Sequence, residues 1–250
     1  MRSFRVDAPT DVVGELAGLG RLGPALTWLA AAQGAWPPRE PTAVARVLLS
    51  DDHAATVDVE DPVEAGATQA DELADRGTDL VVLSSAAGAV PGVVVAAALL
   101  ALEPVEAVGT STGSASSPGG AAGWASLTVG VRDGLRRARP HLGDPLGLVD
   151  AAGSEALARA TGMLAQCAVR RTPVLLDGSA VVCGAALFAE RLAPGGCAWW
   201  LPGQAPPSPA AARALVELGL TPLLELSLDL PLGAALALSV LLQAVEHVRG

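Results

Sequence analysis

The sequence predicts an α/β protein in which a parallel, Rossmann-like sheet is flanked by helices. Three short β-rich runs, Ala43–Leu49, Leu80–Leu83 and Val174–Leu176, alternate with stretches of helical spacing. Strands that alternate with helices and cross over in the right-handed sense form a parallel sheet. Hydrophobic residues make up 51% of the chain and aromatic residues only 3%, so the core must consist of Ala, Val and Leu. Such a core suits helices packed closely on a buried sheet.

We expect one domain over residues 1–250, with an N-terminal helical annex (1–41) and a sheet core (42–250). The stretch Val12–Gln33 begins with a Gly-rich turn and continues as an amphipathic helix. The prolines of Ala35–Pro41 mark a linker. We expect the N-terminal helices to pack against the apolar C-terminal helix, Leu230–Val245.

The middle of the chain supplies the alternating elements. We predict helices at Glu64–Arg76, Trp124–Arg139 and Glu155–Val169, and another that begins at Asp144. The uncharged run Leu80–Leu102 contains SSAAGAVPG, which breaks a helix, so it is predicted as strand, turn and buried helix rather than a membrane span.

The last third of the chain continues the alternation. After Val174–Leu176 we predict a Gly turn, a helix and a polar loop at Leu201–Ala211. A second helix and a short strand follow within Ala212–Leu226, before the last apolar helix.

The charge of the chain limits its partners. The formal net charge is −10, and all 16 basic residues are arginines. We therefore expect neither nucleic acid nor a membrane as partner, because both attract cationic surfaces. The N-terminus lacks an apolar signal region, which predicts a cytoplasmic protein. The three cysteines form no C-x-x-C pair, so we expect buried thiols and no metal or other cofactor.

Two short motifs leave other chemistries open. Asp52 and His53 follow the first strand and could ligate a metal, but the sequence shows no third ligand. Gly109–Gly113 matches G-x-S-x-G, the nucleophile motif of α/β hydrolases. That motif requires a strand before it and a helix after it, whereas SASSPGGAAG follows here. The hydrolase is therefore a remote alternative.

Several longer motifs point to one family. Asp144–Val149 reads D-P-L-G-L-V, Gly162-Met163-Leu164 lies in a predicted helix, and Val174–Gly178 reads V-L-L-D-G. Together with Leu19–Gly23, these motifs resemble the nicotinate-nucleotide:dimethylbenzimidazole phosphoribosyltransferases of cobalamin biosynthesis. The resemblance implies the α/β fold and a homodimer. It also implies nicotinate mononucleotide and a benzimidazole or cobamide intermediate as ligands.

The resemblance also implies site residues. Those matched to nucleotide and phosphate binding are Gly88, Gly109, Thr112, Gly113, Asp177 and Gly178; those matched to the base pocket are Asp52 and His53. A family segment that carries V-T-x-Q-M and lines the benzimidazole pocket is missing between His53 and Glu64, so the chain is shorter than family members.

The general base of the family is a Glu in S-H-x-S-A-E-P-G-H, and Ser208 stands in its place. The nearest carboxylates along the sequence are Glu190 and Glu217, on helices expected to face elsewhere. A serine alone cannot remove the proton from the attacking nitrogen at neutral pH. The sequence thus predicts a phosphoribosyltransferase-like protein with lost or weakened catalysis. The alternative is an active transferase that forms α-ribazole phosphate and nicotinate with substituted residues.

Overall fold

The structure is a computed structural model, and it describes residues 4–12, 18–51, 61–109, 120–228 and 231–250. Its strands form a single parallel sheet in the order β1-β2-β3-β4. The strands are β1 (Val44–Leu49), β2 (Leu80–Ser85), β3 (Val174–Leu176) and β4 (Trp200–Pro202). The predicted α/β class is confirmed.

The α-helices of the described residues surround this sheet. They are α1 (Leu22–Gln33), α2 (Pro62–Asp75), α3 (Ala89–Leu100), α4 (Pro104–Val108), α5 (Gly120–Ala138), α6 (Pro145–Ala152), α7 (Glu155–Val169), α8 (Ala180–Leu192), α9 (Pro209–Glu217) and α10 (Gly233–Arg249).

The strand order explains which helices lie on which face. Each strand pairs with the next strand along the chain, so right-handed crossovers place α2, α3 to α7 and α8 on one face. Val81 and Leu83 of β2 point into that large core. Leu80 and Val82 alternate to the other face, where α1 and α10 cover them. The predicted packing of an N-terminal helix against the C-terminal helix is therefore present.

The helix layer is closely packed because glycines allow backbones to touch. A Cβ atom at Gly66 of α2 would lie 2.0 Å from the carbonyl oxygen of Arg159 in α7. A Cβ atom at Gly162 of α7 would lie 1.8 Å from the carbonyl oxygen of Val63. Neither position can accept a side chain, and α2 and α7 are held at backbone contact.

The last third of the chain differs in part from the prediction. Trp200–Pro202 forms a fourth strand that the sequence did not predict. The strand predicted near Leu224 is only a single parallel bridge to Gln204. Helix α9 begins at Pro209, inside the predicted polar loop, because proline is well suited to the first helical turn.

The uncharged run Leu80–Leu102 folds as β2, a turn and α3, as predicted. Within the described ranges, no helix has both the length and the apolar character that a membrane crossing requires.

Candidate functional site at the carboxyl edge of the sheet

The carboxyl ends of the four parallel strands meet at one edge of the sheet, which is where α/β proteins build their ligand sites. Asp51 follows β1 after one intervening residue, and Asp177 and Gly203 directly follow β3 and β4. Ser85 is the last residue of β2. The loops that carry these residues form the edge.

Asp177 joins the ends of β2 and β3. Its Oδ2 atom accepts a hydrogen bond from the backbone N–H of Ser85 over 2.8 Å, and its Oδ1 atom accepts one from Ser179 N–H over 2.8 Å. The residue is 1% exposed. Burial raises the pKa of this carboxyl above its usual value, and the backbone hydrogen bonds from Ser179 and Ser85 oppose the rise only in part. Both carboxyl oxygens are thus engaged within the protein.

Gly178 forms the turn between β3 and α8. Its φ angle is +78°, a left-handed conformation that favours glycine. A Cβ atom there would lie 2.8 Å from the carbonyl oxygen of Gln204. Both observations require a glycine, and they bring the β3 turn into contact with the β4 loop.

Asp51 connects the end of β1 to the beginning of α7. Its carboxylate accepts hydrogen bonds from Ser154 Oγ at 2.9 Å and from Ala156 N–H at 3.0 Å. Ser154 Oγ in turn accepts a hydrogen bond from Leu157 N–H at 3.1 Å. A carboxylate is stabilised at a helix N-terminus. This terminus is therefore already occupied by an anionic group of the chain itself.

Ser208 lies at the N-cap of α9, but its side chain caps no backbone N–H. Its Oγ atom is buried and has no hydrogen-bond partner among the described residues. None of the described carboxylates is therefore hydrogen-bonded to it. The next residue, Pro209, contacts Gly109: a Cβ atom at Gly109 would lie 2.9 Å from Pro209 Cγ. The structure thus brings Gly109 beside the position of Ser208.

Glu190 and Glu217, the two carboxylates nearest to Ser208 along the sequence, lie in other surroundings, and so does Glu106 of α4. Glu190 accepts hydrogen bonds from Gly195 N–H at 2.6 Å and Cys197 N–H at 2.7 Å, which closes the end of α8. Glu217 is exposed at the end of α9. Glu106 pairs with Arg213 of α9 at 3.1 Å. Glu190 and Glu106 therefore already have partners within the chain.

Gly88, Gly109, Asp177 and Gly178 are described, whereas Asp52, His53, Thr112 and Gly113 lie outside the described residues. Gly88 is the N-cap of α3, and nothing within 4 Å would meet a Cβ atom there. In the part of the chain that is described, no three His, Cys, Asp or Glu side chains are grouped so that they could hold a metal ion.

The roles of Asp51 and Gln204 at this edge were not predicted from the sequence. Their partners are far away in the sequence, and no local pattern reveals them.

The parallel sheet and the loops at its carboxyl edge define an α/β protein of the class that binds ligands at strand ends. A family model described as phosphoribosyltransferase matches residues 53–250. The chain therefore belongs to this phosphoribosyltransferase family.

Curated relatives agree with this assignment. The chain is 46% identical over 187 residues to a nicotinate-nucleotide–dimethylbenzimidazole phosphoribosyltransferase of Mycobacterium bovis, covering 73% of this chain and 50% of that protein. It is 46% identical over 192 residues to the Mycobacterium avium protein of the same name, covering 75% and 53%. The chain thus spans about half the length of the curated relatives it matches.

The fold is also that of a solved structure. The crystal structure of the nicotinate-nucleotide–dimethylbenzimidazole phosphoribosyltransferase from Thermus thermophilus superposes with a TM-score of 0.74. The match covers 96% of this chain and 92% of that chain at 21% identity. At this identity, the likeness shows a shared fold.

Proposed function

We propose that this chain acts in the assembly of the lower ligand of cobalamin as a nicotinate-nucleotide:dimethylbenzimidazole phosphoribosyltransferase-like protein whose catalysis is lost or weakened. Family membership and the names of the 46% identical relatives support the pathway. The substitution at Ser208 supports the loss of catalysis. We propose the cytoplasm as its location, as the sequence analysis predicts.

The observation that carries this proposal is the state of Ser208 at the beginning of α9. The attacking nitrogen of the benzimidazole must lose its proton, and a positioned base contributes roughly 10²–10⁴-fold to such a step. A serine hydroxyl can accept that proton only when a neighbouring base activates it. Ser208 Oγ has no hydrogen-bond partner among the described residues, so nothing described activates it.

Binding can persist without this base. Gly88 at the beginning of α3 is open to an approaching ligand, and Gly109 and Gly178 hold the loops near the strand ends. Backbone N–H groups at the beginning of a helix favour phosphate. We propose that nicotinate mononucleotide or a cobamide intermediate binds at this edge. Asp52, His53, Thr112 and Gly113 remain predicted members of the same site.

Asp177 has an indirect role in this proposal. Because both of its oxygens accept backbone N–H groups, the carboxylate holds the Ser85 and Gly178 loops together. We propose that it shapes the nucleotide site through these loops.

We also propose a homodimer formed through α10. Leu232 and Leu236 of this region are 52% and 44% exposed, one helical turn apart. An apolar cleft of about 370 Å³ continues along the same helix and is lined by residues that include Leu22 and Val240. Sedimentation velocity on the unmodified protein and on Leu236→Glu tests this proposal. We expect the unmodified protein to be a dimer and Leu236→Glu to be a monomer. An unmodified protein that is monomeric contradicts the proposal.

The proposed function is tested by mixing the purified protein with nicotinate mononucleotide and dimethylbenzimidazole. We expect calorimetric binding of nicotinate mononucleotide without nicotinate release well above that in buffer. Rapid release of nicotinate contradicts the loss of catalysis. Absence of binding to both compounds contradicts a retained ligand site.

A further inference from the structure

Gln204 is a buried amide at the carboxyl edge to which neither the motifs nor the comparisons assign a role. It follows β4 after one residue and is 1% exposed. Its backbone forms a parallel bridge to Leu224, and Ala205 N–H donates to Leu224 O at 3.0 Å. The strand end therefore lies beside the 224–228 segment.

The side chain of Gln204 binds the same segment a second time. Its Nε2 atom donates to the carbonyl oxygen of Leu228 at 2.9 Å, and its Oε1 atom accepts from Leu228 N–H at 3.1 Å. One amide group thus satisfies both backbone polar groups of one residue. These two bonds also fix which end of the amide is nitrogen, since reversing the amide would break both.

Two glycines make room for this amide. A Cβ atom at Gly178 would lie 3.0 Å from Gln204 Cγ, and a Cβ atom at Gly233 would lie 2.1 Å from Gln204 Cδ. The β3 turn, the 224–228 segment and the beginning of α10 therefore converge on one side chain. The chain from Gln204 continues through Ala205 to Ser208.

We propose that Gln204 is a positioning residue that fixes the 224–228 segment as a rigid wall of the carboxyl-edge site before any ligand arrives. Leu228 is half-buried, and without the amide its backbone N–H and C=O lose these two partners. Loss of the amide therefore releases the Leu228 end of the wall, whereas the backbone hydrogen bonds of Leu224 to Gly203 and Ala205 remain. The inference deepens the proposed function, because it rests on that edge being the ligand site.

The test compares hydrogen exchange of the Leu228 amide in three proteins between pH 5 and pH 8. In Gln204→Leu we expect exchange at Leu228 to be about tenfold faster than in the parent at every pH, since local opening becomes easier. Gln204→Glu is more informative. A protonated Glu can donate to Leu228 O and accept from Leu228 N–H, whereas an ionised Glu can only accept.

We therefore expect Gln204→Glu to protect Leu228 almost as well as the parent at low pH and to lose that protection as the pH rises. A role in packing volume alone gives no such dependence. Two other titratable groups lie nearby: Asp177, next to Gly178, and Glu225 on the held segment. Both are present in all three proteins, so their titration cancels when the exchange rates of Leu228 are compared. Val129→Glu, which adds the same charge at an exposed position of α5, is the control and should match the parent.

An unchanged exchange rate of the Leu228 amide in Gln204→Leu overturns the inference. So does a ratio of the Leu228 exchange rates of Gln204→Glu and the parent that does not change with pH. Calorimetry with nicotinate mononucleotide separates this result from the proposed function. Failure of the parent to bind contradicts the proposed ligand site, whereas the exchange result alone decides whether Gln204 holds the wall. If the parent binds, we expect Gln204→Leu to bind about tenfold more weakly. The binding-competent arrangement of the wall is then less populated, and the apparent affinity falls by the same factor.

Discussion

The carboxylate of Asp177 accepts a hydrogen bond of 2.8 Å from the backbone N–H of Ser85, although the two residues are 92 positions apart in the sequence. This bond joins the ends of β2 and β3 at the edge where the candidate site lies. Burial raises the pKa of Asp177 from its ordinary value of 3.8. The ionised carboxyl is therefore less favourable in the folded protein than in the unfolded chain.

The Asp177→Asn variant tests this linkage. Because the folded pKa is raised, the contribution of Asp177 to stability is greatest below pH 3.8 and declines as the pH rises through the folded pKa. Asn carries no charge. We therefore expect the unfolding free energy of the variant, relative to the parent, to increase with pH above 3.8 and then to level off.

Urea unfolding at a series of pH values from 3 to 8 measures this difference. A relative stability that falls with pH would indicate that the hydrogen bonds outweigh burial and lower the pKa. At low pH the variant should be the less stable protein, since the amide nitrogen of Asn cannot accept either of the two backbone N–H groups, whereas both oxygens of a protonated carboxyl can.

The contact between Gly178 and Gln204 gives a second prediction. Gly178→Ala places a side chain at a φ of +78° and 2.8 Å from the Gln204 carbonyl oxygen. The conformational cost is about 1–2 kcal/mol, and the steric overlap adds a further ~1–3 kcal/mol. Thermal or urea unfolding measures the sum.

Gly77→Ala is the matched control. Gly77 has a φ of +80°, but a Cβ atom there would meet nothing within 4 Å. We expect this variant to lose only the conformational part, about 1–2 kcal/mol. If the two variants lose the same unfolding free energy, the contact with Gln204 contributes nothing to the cost at Gly178.

The three thiols should be inert in the native protein. Burial raises the pKa of Cys167 to about 12, and it also raises the pKa of Cys183. Burial, together with the neighbouring Glu190, raises the pKa of the half-buried Cys197 to about 11. The thiolate is the reactive form, so we expect almost no reaction with an aromatic disulfide reagent at pH 8.

All three thiols should react after unfolding in guanidinium chloride. As the pH of the native protein is raised towards 11, Cys197 should react first, because it is more exposed than the other two. Cys197→Ser should abolish that early phase. A native thiol that reacts stoichiometrically within seconds at pH 8 would contradict these environments.

Restoring a carboxylate at the beginning of α9 tests the interpretation of Ser208. A Glu at this N-cap is favoured by the helix dipole and supplies a base at the family position. We expect Ser208→Glu to release nicotinate faster than Ser208→Gln, towards the roughly 10²–10⁴-fold that a positioned base contributes. The difference in the rate of nicotinate release between the two variants should grow with pH, as the introduced Glu carboxyl ionises.

Ser208→Gln has a similar size and no charge, so it controls for the side chain alone. Both variants must retain binding of nicotinate mononucleotide by calorimetry. Equal rates of nicotinate release by the two folded, ligand-binding variants would contradict the assignment of this position to the base.

The sequence revealed the long, regular elements of the fold because their spacing is local. Glu155–Val169 and Val174–Leu176 have the predicted bounds. The three-residue strand Trp200–Pro202 was not predicted, since its pairing with β3 comes from tertiary contact and not from a strand-length pattern. Helix α4, with five residues, was not predicted either, because it is too short to show a helical pattern.

The site was predictable where a motif carries a backbone requirement and not where a side chain finds a distant partner. The D-G pair at Asp177 and Gly178 indicated a turn, and the φ of +78° agrees. Gln204 binds Leu228, 24 residues away, and Asp51 binds Ser154, 103 residues away. No spacing rule connects such pairs.

The most direct test of the proposed function is a single-turnover measurement on the unmodified protein. The protein is held in excess over nicotinate mononucleotide, with saturating dimethylbenzimidazole, and nicotinate is followed over time. We predict release no faster than ~10⁻² of the roughly 10 s⁻¹ that is typical of enzymes, because the base is absent. Stoichiometric release of nicotinate within about a second would contradict the loss or weakening of catalysis in this chain.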